Sequence, residues 1–257
     1  MTTTQDSALW IRHYHPAPDS GIRLVCLPHA GGSASFYFPV SRALSPAVDV
    51  LTVQYPGRQD RRSEPCVEDL PTLARRVLEA LDGYLDKPIA LFGHSMGATV
   101  GFELARLLEH ERGVVPAWLF ASGRRAPSMA RDERIHQETD EGFIRELRRL
   151  SGTAGNILGD EEMLRMILPA TRSDYRAAET YRYEPGPALS CPITAFVGDD
   201  DPKVTVDEAR AWQDHTTGAF DFHVFDGGHF YLTSHQNELN GIMARQLRSA
   251  ARLSGNA

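Results

Sequence analysis

Pro88-Ile-Ala-Leu-Phe-Gly-His-Ser-Met-Gly-Ala98 is the stretch whose reading decides the fold. The apolar run Pro88 to Phe92 reads as a short buried strand, and a helical pattern from Ala98 to Glu109 begins almost at once. Between them stands Gly93-His-Ser-Met-Gly97, a G-x-S-x-G pentapeptide. In a strand–turn–helix setting the turn is sharp and strained. Small residues must flank the serine, which then stands exposed above the strand end. Such a pentapeptide alone has little specificity, so the rest of the chain must supply a base, an acid and an oxyanion hole.

Outward from this point the chain alternates. Upstream lie strand patterns at Ile22–Leu27 and Val48–Gln54, and helical patterns around Phe36–Leu44 and Leu70–Leu85. Downstream comes another strand, Ala117–Ala121. This β-α-β-α-β-α-β order predicts an α/β protein with a doubly wound, mostly parallel sheet. Trp10–Tyr14 alternates like a short strand, and turn residues Pro16 to Gly21 follow, so an antiparallel hairpin with Ile22–Leu27 is expected at a sheet edge. Residues 1–7 are polar and are expected to fray.

The alternation stops between about 125 and 187, where three helical pieces are expected: Glu141–Leu150, Asp160–Leu168 and Ser173–Tyr181, with a flexible joint at Gly152–Gly155. That is more helix than one crossover needs. The expected division is therefore a core of residues 1–124 and 188–257 with a helical lid of 125–187. The alternative is an ordinary helical layer. Met163, Met166 and Phe143 are candidate pocket residues on the lid, or else its packing stripe. The sheet resumes at Ile193–Val197. A helix follows near Val206–Gln213, then a strand at Asp221–Phe225 and a final helix from about Tyr231 to Leu253.

A serine hydroxyl needs a base within hydrogen-bond reach and a third group to orient that base. In a doubly wound sheet both should come from loops at the strand C-termini. Gly198-Asp-Asp-Asp-Pro202 and Asp226-Gly-Gly-His229 are two such loops. His229 is the expected base. His94 would point away from the serine and pack, while His110, His136, His215 and His235 are expected at the surface. Asp201, made extended by Pro202, is the expected acid, with Asp226 as rival. The order Ser95, Asp201, His229 is that of α/β-hydrolases. The oxyanion donors should be the backbone N–H of Met96 and one from His29-Ala-Gly-Gly32, with Ala30 preferred to Gly31.

Composition narrows the classes. The 257 residues suit one large α/β domain or one with an insertion. A net charge of −7 argues against nucleic acid as a partner. No apolar run approaches the roughly 18 residues a membrane span needs, and the N-terminus has no signal-peptide pattern, so a cytoplasmic protein is expected. Cys26, Cys66 and Cys191 have no metal spacing, and no H-E-x-x-H or G-x-G-x-x-G occurs, so neither metal nor cofactor is expected. Cys26 and Cys191 are expected as core fillers.

Leu27-Pro-His-Ala-Gly-Gly-Ser-Ala34, Gln54-Tyr-Pro-Gly-Arg58, Phe92-Gly-His-Ser-Met-Gly-Ala98, Gly198-x-x-Asp201-Pro-x-Val204 and Gly227-Gly-His-Phe230 together resemble the type II thioesterases of polyketide synthases and nonribosomal peptide synthetases. Glu179-Thr-Tyr-Arg-Tyr183 extends the likeness, which spans about residues 20 to 250. The resemblance implies an α/β-hydrolase that cleaves acyl or aminoacyl thioesters from the phosphopantetheine arm of acyl or peptidyl carrier proteins. Its implied role is to edit stalled assembly lines through an acyl-Ser95 intermediate. No cofactor of its own is implied, and a monomer is expected. The Asp-Pro-x-Val match again selects Asp201. Arg58, Arg61, Arg62, Arg124 and Arg125 could form a basic docking patch, although solvated surface arginine is the simpler reading. The competing enzyme reading is a small-molecule serine esterase or acyltransferase on the same fold.

Overall fold

The structure is a computed structural model that describes residues 4–151 and 161–254. A short helix, α1 (Thr4–Trp10), leads into β1 (Ile11–Arg12). Six further strands follow: β2 (Arg23–Leu27), β3 (Asp49–Val53), β4 (Ile89–His94), β5 (Trp118–Ser122), β6 (Ile193–Gly198) and β7 (Phe220–Phe225). They form one sheet in the order β1-β3-β2-β4-β5-β6-β7. β1 pairs antiparallel with β3, and every other neighbouring pair is parallel.

The inner strands are nearly unbroken apolar runs because both faces are covered. The period of two then sorts their side chains. Val25, Leu27, Leu51 and Leu91 face α3 (Leu70–Leu81) and α4 (Met96–Leu107). Leu24, Cys26, Val50 and Phe92 face α2 (Phe38–Leu44) and α9 (Gln236–Ser254). Helix α3 shows how local sequence starts such an element. Asp69 caps it by accepting from Thr72 N–H at 2.8 Å, a proline follows in the first turn, and Leu70, Leu73, Val77, Leu78 and Leu81 form one buried face. Cys26 and Cys191 are buried in the core.

Three local expectations give way to tertiary contacts. β1 pairs with β3 and makes no hairpin with β2, because β2 is central and both of its edges are taken, by β3 and β4. The start of the chain, read as frayed, is helical from Thr4. Finally, two of the expected helical pieces are a single helix, α6 (Glu161–Thr180), which runs through Pro169. An interior proline costs about 3 kcal/mol. Pro169 faces solvent, whereas Leu164, Leu168 and Tyr175 on the same helix are buried. Burying a large apolar side chain contributes about 1.5–3 kcal/mol, so three outweigh the broken bond.

α6 and α5 (Asp140–Ser151) lie between β5 and β6 in sequence, with no strand among the described residues there. Phe143 is buried and meets the Tyr175 ring edge-on at 5.0 Å, so it packs helix on helix. Met166, a candidate pocket residue, instead faces solvent at 67% exposure. The Met163 side chain and the joint at 152–155 lie outside the described residues. Two short α-helices complete the α-helices among the described residues, α7 (Val206–Arg210) and α8 (Tyr231–Ser234). Among the described residues no helix is long and apolar enough to cross a membrane.

Candidate active site

The site begins at the end of β4. Ser95 takes φ +53°, ψ −120°, a backbone conformation that residues with a Cβ rarely adopt. Its N–H donates to Ser122 O at the end of β5 at 2.7 Å, which fixes the turn against the neighbouring strand. A Cβ on Gly97 would lie 2.0 Å from Leu27 O, so only glycine lets α4 start this close to β2. Ser95 occupies the N-cap position but its hydroxyl makes no capping bond. That leaves the hydroxyl free to project above the sheet.

Two loops on the same sheet edge bring the partners. The loops after β6 and β7 are stitched together: Gly227 N–H donates to Asp199 Oδ1 at 2.9 Å and Asp200 N–H to Gly227 O at 3.1 Å. Asp199 and Asp200 are exposed, and Asp201 alone of the three turns inward. Its carboxylate is fully buried and lies 2.8 and 3.0 Å from His229 Nδ1. A carboxylate can only accept, so Nδ1 carries the hydrogen and Nε2 is left to accept. His229 Nε2 lies 3.0 Å from Ser95 Oγ. Lys203 N–H donates to Asp201 Oδ1 at 2.8 Å and holds the acid in place. Asp226 is exposed and offers only its backbone oxygen, which accepts from His235.

The other nearby histidines remain neutral. His94 is buried, is bonded through Nδ1 to Ser122 Oγ at 2.9 Å, and lies 5.0 Å from the His229 ring. Burial, helped by the His229 and His29 charges, pushes it well below the ordinary histidine value. Burial and the His229 and Arg58 charges push His29 down to about 3. Neither competes as a base at neutral pH. His215, expected at the surface, is buried: it bonds Ser128 Oγ at 2.9 Å and packs against Phe102, Trp212 and Tyr183.

Met96 and Ala30 line the cavity together with Ser95, and their backbone N–H groups have no acceptor among the described residues. Gly31 N–H is committed to Asp174 Oδ2 at 2.8 Å and Gly32 N–H to His29 O at 2.9 Å, so Gly31, the runner-up, is not available as a donor. A cavity of about 360 Å³ opens beside them, lined by Ser95, Met96, Ala30 and His229. Its apolar wall includes Phe36, Leu147, Leu150, Ile167, Tyr175 and Phe230, so α5 and α6 close one side of it. Arg124, Glu133, Glu179 and Lys203 give it a polar end. Burial lowers the Arg124 guanidinium to about 10, and its Nε–H donates to Thr99 Oγ1 at 3.0 Å. Burial would raise the Glu133 carboxyl, but Lys203 and Arg125 outweigh it and hold the group at about 2.

The five arginines form no basic patch, and most of them are not solvated surface residues either. Arg58 pairs with Asp174, Arg61 with Glu64 and Arg125 with Glu133, and all three arginines are buried. Arg124 lines the cavity, and of the five only Arg62 is exposed. Asp174, Glu133 and Lys203 escaped the sequence reading because their partners are distant in the chain: 116 positions separate Arg58 from Asp174 and 70 separate Glu133 from Lys203.

Sheet order, elbow and the Ser95–His229–Asp201 chain define an α/β-hydrolase. The thioesterase domain family matches residues 22–247. The chain is 54% identical over 235 residues to thioesterase PikA5 of Streptomyces venezuelae, covering 91% of this chain and 84% of PikA5. It is 54% identical over 248 residues to a probable cadicidin biosynthesis thioesterase of Streptomyces griseus, covering 96% of this chain and 68% of that one. The solved type II thioesterase BorB from the borrelidin biosynthetic cluster superposes with a TM-score of 0.89 at 55% identity, covering 93% of this chain and 98% of BorB. The chain belongs to the thioesterase family, as a type II thioesterase. It is a hydrolase acting on thioester bonds.

Proposed function

We propose that the enzyme removes acyl or aminoacyl groups from the phosphopantetheine arm of acyl or peptidyl carrier proteins, editing stalled polyketide or nonribosomal peptide assembly lines. The observation that carries this reading is the unbroken chain Ser95 Oγ–His229–Asp201, opening beside two free N–H donors into a largely apolar cavity. The biosynthetic settings in the names of PikA5's fellow relative and of BorB support the assembly-line role.

In this reading Ser95 Oγ attacks the thioester carbon while its proton passes to His229 Nε2. Asp201 stabilises the imidazolium that forms. Met96 and Ala30 N–H groups donate to the developing oxyanion, each worth about 3–4 kcal/mol in the transition state. The C–S bond then breaks and the carrier thiol leaves with the proton from His229. Water, deprotonated by the same ring, cleaves the acyl-Ser95 ester and releases the acid. Residues 125–187 act as the lid, with α5 and α6 forming the acyl wall. The enzyme works in the cytoplasm as a monomer and needs no cofactor of its own. The phosphopantetheine belongs to the substrate.

The test compares kcat/KM on an acyl-carrier protein with that on the p-nitrophenyl ester of the same acid. Preference for the carrier substrate is expected. A strong preference for the plain ester would support a small-molecule esterase and sink the carrier reading.

A further inference from the structure

Asp174 lies on α6, the helix whose Ile167, Thr171, Tyr175 and Ala178 line the cavity. The positions 167, 171, 174, 175 and 178 share one helical face. From that face the Asp174 carboxylate reaches into the loop that carries Ala30. Its Oδ2 accepts Gly31 N–H at 2.8 Å. Arg58 grips both oxygens, with Nη1 at 2.6 Å and Nη2 at 2.8 Å. The same Nη1 also donates to Gly32 O at 3.1 Å, so both sides of the loop are held by one ion pair. Arg58 and Asp174 side chains are only 7% and 2% exposed.

The loop itself cannot fix its own geometry. His29 to Gly32 is a turn closed by Gly32 N–H on His29 O at 2.9 Å, with Gly31 at φ +74°. Glycine at that position visits both signs of φ freely. The Ala30 donor belongs to the His29–Ala30 peptide, which shares Ala30 Cα with the Ala30–Gly31 peptide, so displacement of the second peptide shifts the first. The charge-assisted bond from Gly31 N–H to Asp174 opposes that displacement.

We infer that the buried Arg58–Asp174 pair is a positioning device for the oxyanion hole, tying the Ala30 donor to the helix that lines the acyl cavity. The inference rests on the proposed oxyanion role of Ala30. It makes α6 a working part of the catalytic geometry as well as a cover. An acyl chain that seats α6 correctly would at the same time seat the oxyanion loop, so discrimination would be expressed in kcat.

The full-length chain is assayed on butyryl-N-acetylcysteamine and on p-nitrophenyl butyrate. Asp174→Ala should lower kcat about 10- to 100-fold on both, with KM within about threefold, as expected for a misplaced oxyanion donor. Asp174→Asn keeps an oxygen for Gly31 and should retain most of kcat. Arg58→Met leaves the acceptor in place and should lose less than Asp174→Ala. The double variant Arg58→Met, Asp174→Leu strands no charge, so it guards against loss of the fold, and it should lose as much kcat as Asp174→Ala.

A trifluoromethyl ketone analogue supplies a readout that a merely structural role would not move. Ser95 Oγ adds to its carbonyl, the proton passes to His229, and the carbonyl oxygen becomes an oxyanion. Its affinity should fall in proportion to kcat/KM, while butyrate inhibition stays constant. Unchanged kcat in the Asp174 variants would overturn the inference. So would losses that follow thermal stability alone, or equal weakening of ketone and butyrate. A wild-type chain that cleaves the nitrophenyl ester but no thioester would instead sink the carrier-thioester reading, and the oxyanion comparison would still stand on the ester.

Discussion

Nδ1–H of His229 sits between the two carboxylate oxygens of Asp201, 3.0 Å from one and 2.8 Å from the other. This contact sets the tautomer that leaves Nε2 basic toward Ser95. Asp201→Asn should therefore lower kcat by a factor on the order of 10³–10⁴ with the fold intact. Asp226→Asn should stay near wild type, since the Asp226 carboxylate has no bond to His229. Steady-state kinetics on one thioester decides between the two acids, and the reverse ranking would move the role to Asp226.

Gly97→Ala should lose the enzyme altogether. The added Cβ would stand 2.0 Å from Leu27 O and 2.8 Å from Pro28 O, both backbone atoms that cannot rotate away. Relief requires α4 to shift from β2, which moves Ser95 away from His229. Expression level and thermal unfolding measure the outcome, and a well-folded active variant would contradict the close approach.

Neither His29 nor His94 should add a protonation step to the activity profile near neutral pH. His29 is held at about 3 and His94 well below its usual value, so both rings stay neutral. The acid limb of log kcat/KM against pH should therefore not be steepened by these two rings. A slope of two above pH of about 5 would mean that a second ring is protonated.

Glu133 should contribute to acid sensitivity. Its carboxyl is held at about 2, below the 4.5 of an unpaired glutamate, so the folded state binds its proton less readily than the unfolded state. The stabilisation is complete above the unfolded value and is lost as pH falls through the folded one. The Tm advantage of wild type over Glu133→Gln should shrink between about pH 6 and about pH 3. A constant or widening gap would show that the Lys203–Glu133 and Arg125–Glu133 pairs do not supply it.

The sequence alone determined the alternation that makes a parallel sheet, the elbow around Ser95, and the chain order Ser95, Asp201, His229. These are local matters. Period-two and helical apolar patterns, glycine at a crowded turn and proline after an acid act through neighbours a few positions apart, and right-handed crossovers then place the strand ends on one edge. Tertiary structure decided that β1 joins β3, because β2 had no free edge. It also carried α6 through Pro169 and turned three arginines inward as ion-pair partners. The tie between Asp174 and Gly31 spans 143 positions and joins the acyl wall to the oxyanion loop. No local pattern encodes such a contact, because it exists only once the helix has packed over the sheet and taken the Asp174 carboxylate out of water.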